Sequence, residues 1–161
     1  MFSVWEWKKS EVVVVAGIIL VILGISSFQL VVGEMKTRDV QRKADVELVS
    51  RALQVYFEDY QVYPAATAGG QIVACGDKGA RPCVWGSGDS MVDHDNVVYL
   101  KGMPTDPLAD RGWKYVYVVD EKRDKYRIYV GLEYERDPEA RQNLTVGCGT
   151  GVQCKWYVGN Y

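Results

Sequence analysis

At 161 residues the chain has room for one modest domain and an appendage, but not for two full cores. Its 19 Lys and Arg against 21 Asp and Glu leave a net charge of −2, without the basic surplus of a dedicated nucleic-acid binder. Eleven Tyr and five Trp in so short a chain point instead to aromatic packing in a small sheet domain.

The first element is a membrane-length segment. From Val12 to Val32 there is no charge, and only Ser26, Ser27 and Gln29 are plainly polar. At 1.5 Å per residue this run measures about 31 Å as a helix, the hydrocarbon thickness of a bilayer. It is longer than the apolar region of a secretory signal and is followed by "VVGEMKTRD" rather than a small-x-small cleavage site. Lys8 and Lys9 precede it, so residues 1–11 read as a cytoplasmic, leader-like segment and 12–32 as a transmembrane helix. That makes a single-pass cytoplasmic-membrane protein whose remaining chain lies outside the cytoplasm.

The helix is expected to continue beyond the bilayer. Over residues 33–63, Val46, Val49, Leu53, Tyr56 and Tyr60 recur at spacings of three or four and share one face. Arg38, Arg42, Lys43, Glu47, Arg51 and Glu58 fall mostly on the other face, which reads as solvated. Gly33 alone costs about 1 kcal/mol and need not break the helix. One rod from Val12 to Asp59 would be about 72 Å long. "QVYP" ends it, because Pro64 drives Tyr63 out of helical geometry.

Residues 64–161 then form the head. The stretch 64–96 is rich in Gly, Asp and small residues with few periodic signals, and reads as an excursion. Strand signals follow in "NVVYL" (96–100), "WKYVYVVD" (113–120), "KYRIYVGLE" (125–133) and "CKWYVGNY" near the end. "EKRD" between the middle two predicts a hairpin turn. Cys75 and Cys83 bracket one short loop, Cys148 and Cys154 another. Of the three possible pairings the two local disulfides are preferred, with an oxidising compartment implied. A four-thiolate zinc site is the rival, at spacings wider than such sites use. The fold class is α+β: a long N-terminal membrane-spanning helix whose outer half packs on a small antiparallel sheet.

Two blocks carry a family resemblance. "RDVQRKADVELVSRALQVYFEDYQVYP" resembles the first helix of type IV pilins and type II secretion pseudopilins, the major pseudopilins in particular. The matching positions are Arg38, Asp39, Asp45, Val49, Ala52, Leu53, Tyr56, Tyr63 and Pro64. "MPTDPLADRGWKYVYVVDEKRDKYRIYVGLE" is similar to that family's proline–aspartate segment leading into paired tyrosine-rich strands, through Pro104, Asp106, Pro107, Tyr115, Tyr117 and Tyr126. The resemblance implies a pilin-like subunit of a pilus or pseudopilus filament. Its partners would be copies of itself or related subunits, and assembly machinery at the inner membrane. It also implies that Glu11 neutralises the free amine of a neighbouring subunit and sets register. The N-terminus departs from the pattern: with Glu11 as the fifth mature residue, Trp7 is the first and Glu6 stands where the family has Gly. The simpler reading of Glu11 is an acid at a helix start, with Lys8 one turn away.

The charges Arg38, Asp39, Arg42, Lys43 and Asp45 are expected to be solvated in one subunit and to pair between neighbours in a filament. "DSMVDHDN" offers a candidate calcium loop at Asp93, Asp95 and Asn96, without the Gly and distal Glu of a complete one. Asp106 and Asp110 of "DPLAD" are an equal second candidate, and no other cofactor is expected. His94 is the only histidine and has no nucleophile motif around it, so no enzyme is indicated. The rival function is a solitary membrane-anchored binding module that does not polymerise.

Overall fold

The computed structural model describes residues 9–160. Its first element is one unbroken helix, α1 (Lys9–Tyr60), 52 residues and about 78 Å long. It ends where the sequence predicts, within one residue. Gln61 takes φ 56° and donates its N–H to the Phe57 carbonyl at 2.7 Å, a left-handed cap that turns the chain into Pro64.

The two halves of α1 live in different surroundings. Along the first half every side chain from Val12 to Leu30 is exposed, Val13, Leu20 and Leu30 to about 70 %. A helix that is apolar on all sides and packs on nothing is long and apolar enough to cross a membrane. In the second half the stripe turns inward: Val46, Val49 and Leu53 are fully buried and Ala52 nearly so. Burying each of the larger side chains stabilises the head by roughly 1.5–3 kcal/mol.

Around this stripe the head builds short antiparallel sheets. The first contains β1 (Ala65–Ala66), β2 (Ile72–Cys75), β3 (Arg81–Pro82), β4 (Met91–Val92) and β5 (Val98–Leu100). Its order is β1-β2-β4-β5, with β3 also paired to β2. The excursion expected over 64–96 therefore carries four of these strands. They are two to four residues long, too short to show the alternation by which a strand is read from sequence.

The second sheet has the order β10-β7-β6, from β6 (Val116–Val119), β7 (Tyr126–Val130) and β10 (Trp156–Gly159). β6 and β7 form the expected hairpin, with Val116 opposite Tyr129 and Val119 opposite Tyr126. One face of β7, Tyr126, Ile128 and Val130, joins Val46, Val49 and Leu53 in the main core. On the other face Tyr129 and Val116 pack under the loop of β8 (Gly147–Gly149) and β9 (Val152–Gln153), which the Cys148–Cys154 disulfide closes.

Gly70 joins the two main sheets. Its carbonyl accepts the Tyr117 N–H at 2.9 Å, its φ is 79°, and a Cβ there would lie 2.6 Å from Val116 Cγ1. Only glycine meets both demands. At the far end of the rod, Tyr63 donates its N–H to the Arg123 carbonyl at 2.7 Å, and Arg123 Nε donates to the Tyr63 carbonyl at 2.6 Å. The helix exit and the β6–β7 turn are thus fastened to each other.

Candidate functional site

Where α1 leaves its apolar half, the head grips it through a cluster of charges. Arg42 is fully buried. Its Nε and Nη2 donate to Asp106 Oδ2 and Oδ1 at 2.9 and 3.0 Å, and its Nη1 donates to Asp39 Oδ1 and Glu133 Oε1, both at 2.7 Å. The guanidinium lies over the Trp113 ring, 4.3 Å from its centroid. Arg38, half-buried, makes a second fork to Glu133 through Nε and Nη2 at 2.8 and 2.7 Å. Asp39 accepts the backbone N–H groups of Glu133 and Tyr134. Two cations and three carboxylates thus tie one helical turn to the segment after β7 and to the "TDPL" turn.

This corrects the expectation of a solvated row. Asp39 and Arg42 are interior residues whose polar atoms are engaged by their own head. Asp45 is half-buried and accepts the Tyr115 hydroxyl at 2.8 Å. Lys43 donates to Asp137 and Glu139 at 3.0 and 2.7 Å. Arg38, Asp39 and Arg42 lie on the same face as Val46, Val49 and Leu53, not on the opposite one, and what the sequence hides is their partners, 64 and 91 residues away from Arg42. Asp39 alone, three residues back, resembles an ordinary surface pair.

The cluster makes stability depend on pH. Hydrogen bonding from Arg38 holds the Glu133 carboxyl below its usual value of 4.5; burial opposes this, and the bond from Arg42 adds to it. The folded chain therefore binds this proton less readily than the unfolded chain. The stability that Glu133 contributes is present above about pH 4.5 and is lost as pH falls through its folded value. At Asp137 burial pushes upward, but the Lys43 and Glu139 N–H hydrogen bonds together outweigh it, so its sign is the same. Asp45 is raised by burial despite the Tyr115 hydroxyl, and offsets part of the loss. Thermal melts are expected to show a midpoint that falls between about pH 5 and pH 3, with a shallower fall in Glu133→Gln. A midpoint flat across that window would exclude this contribution.

Glu11 lies in the first turn of α1 and is exposed, beside Val14 and Val15. Residues 1–8 of the leader-like segment, with Glu6, Trp7 and Lys8, lie outside the described residues, and Lys9 to Glu11 begin α1. The chain matches no family model, no curated protein and no solved structure. Its own geometry therefore carries the functional argument.

The candidate calcium loop is organised around Asp93 as a structural pivot. Asp93 Oδ1 accepts the N–H groups of Asp95 and Val97, both at 2.8 Å, and Oδ2 accepts the Tyr60 and Tyr99 hydroxyls at 2.7 and 3.2 Å. The bond to Asp93 pushes the Tyr60 hydroxyl up to about 12. Asn96 Oδ1 accepts the Lys78 N–H, and Asp95 faces His94 on the exposed surface. Asp106, of the second candidate, is spent on Arg42, and Asp110 is exposed. Among the described residues no group of three or more His, Cys, Asp or Glu is placed to hold a metal ion. Both disulfides join the locally spaced cysteines, Cys75 with Cys83 and Cys148 with Cys154, and all four are fully buried.

Proposed function

We propose that the chain is a pilin-like structural subunit, anchored by the first half of α1 in the cytoplasmic membrane with its head outside the cytoplasm. The observation that carries this reading is one continuous rod with an all-round apolar, unpacked half and an outer half built into a small head. Such a half has to be covered by lipid or by other apolar rods, and bundling of rods from copies or related subunits makes a filament core. Two disulfides suit an oxidising, extracytoplasmic location for the head. The resemblance of Arg38 to Pro64 to pilin and pseudopilin helices supports the same reading. Within it, Glu11 is the register residue, while Arg38, Asp39, Arg42 and Asp45 serve assembly indirectly by fixing the angle between head and rod.

The second reading, a solitary anchored binding module, is favoured by Glu6 at the position where the resemblance asks for Gly. Cysteine placed beside Glu11, as Val14→Cys, separates the two. In the protein's own membrane an assembling subunit is expected to crosslink copy to copy at this position. A chain that stays monomeric under oxidation is the solitary module. The intact mass of the extracted protein reports the leader: a loss of residues 1–6 or 1–10 exposes a new amine near Glu11. A full-length mass favours a permanent anchor or an initiating minor subunit.

A further inference from the structure

An open groove of about 650 Å³ runs along the turn of α1 that ends the apolar half. One wall is the last apolar surface of the rod, Phe28, Val31, Val32 and Met35; the other is Tyr134, Glu135 and Arg136 of the segment after β7. Lys36 closes the top, its ammonium 4.5 Å from the centroid of the Tyr134 ring. The Arg38–Glu133 fork and the Asp39 bonds to the Glu133 and Tyr134 N–H groups hold this segment at a fixed height on the rod. With Val32 as the last residue of the span, Lys36 stands about 6 Å above it along the axis. That is the depth of the lipid headgroups, where Tyr, Lys and Arg are favoured because each offers an apolar body and a polar tip.

We infer that the groove is a seat for phospholipid headgroups: the head docks on the surface of the membrane its rod crosses, through Lys36, Tyr134 and Arg136. This rests on the reading that the rod crosses a bilayer, and is independent of whether the subunit polymerises. The groove is continuous with the apolar half, so a lipid packed beside Phe28 and Val31 presents its headgroup to the two cations and the Tyr134 hydroxyl. Docking of this kind sets the tilt of the head before any assembly step. A second copy's rod is the competing occupant.

The test uses the full chain in phosphatidylcholine–phosphatidylglycerol vesicles, with a fluorescent label on single added cysteines. Glu135→Cys reports the groove, Leu30→Cys the span and Lys122→Cys the far end of the head, beside the Arg123 that is fastened to the helix exit. Headgroup spin-labelled lipid is expected to quench the label at 135 and to leave that at 122 unquenched. Acyl-chain spin label is expected to quench the label at 30. In Lys36→Ala/Tyr134→Ala, quenching at 135 is expected to be lost while that at 30 remains. Quenching at 30 without quenching at 135 overturns the docking and leaves the membrane span intact. Crosslinks between two copies at 135, in place of lipid quenching, assign the groove to a second rod and overturn the lipid seat. Absence of quenching at 30 overturns both the span and the docking.

Discussion

Replacing Arg42 with Met is expected to cost the head about 3–5 kcal/mol, because it leaves the buried Asp106 carboxylate without its cation and takes one bond each from Asp39 and Glu133, which keep their backbone and Arg38 partners. Met fills much of the same volume, so the loss comes from uncompensated charge rather than from a cavity. For a domain of this size the melting midpoint falls by roughly 10–20 °C. Arg42→Lys is expected to fall between wild type and Met, since an ammonium cannot make the fork to Asp106 and the bonds to Asp39 and Glu133 together. Adding Asp106→Asn to Arg42→Met neutralises one stranded carboxylate and is expected to recover part of the loss. Chemical denaturation of the four proteins checks the order. A loss below about 1 kcal/mol for Arg42→Met would place the cluster among surface ion pairs and refute the buried clamp.

Removal of the first disulfide, as Cys75→Ala/Cys83→Ala, is expected to cost about 2.5 kcal/mol through the entropy of the loop it closes, which spans 8 residue steps. The effect centres on the first sheet. Cys75 sits in β2 opposite Met91 of β4, and the Cys83 N–H bonds the Ile72 carbonyl at 2.7 Å, so the bridge pins β2 to the segment that follows it. The Cys148–Cys154 bridge spans 6 steps and is expected to contribute slightly less. Unfolding curves with and without reductant, compared with those of the two double variants, separate the bridges. A Cys75→Ala/Cys83→Ala midpoint equal to that of the oxidised parent would show that the first sheet holds together through its backbone pairing alone.

These expectations differ in how far the sequence foretold them. The rod, its apolar half and its end at Tyr60 were legible because each signal is local: an uncharged run, a spacing of three and four, and a proline three residues past the cap. The β6–β7 hairpin showed for the same reason, since five alternating residues face four across a short turn. The two disulfides were readable because each joins cysteines already adjacent along the chain. The strands of 65–92 were not, for runs of two to four residues are too short to display a period of two.

The rod, the helix-then-sheet order and the local staples therefore follow from signals between near neighbours in the chain. Only the tertiary structure shows what satisfies the charges on the core face of the rod. Arg42 shares the face of Val46, Val49 and Leu53, at spacings of four, seven and eleven, while Arg51, nine residues on, falls on the opposite side and is exposed. The acceptors of Arg42, Asp106 and Glu133, are brought to the rod by chain segments that run far from it in sequence. A buried guanidinium is tolerated only where enough acceptors converge on it in three dimensions, and convergence is a property of the fold rather than of any stretch of chain. The groove beside Tyr134 arises in the same way, from that clamp holding a distant segment against the last turn of the apolar half.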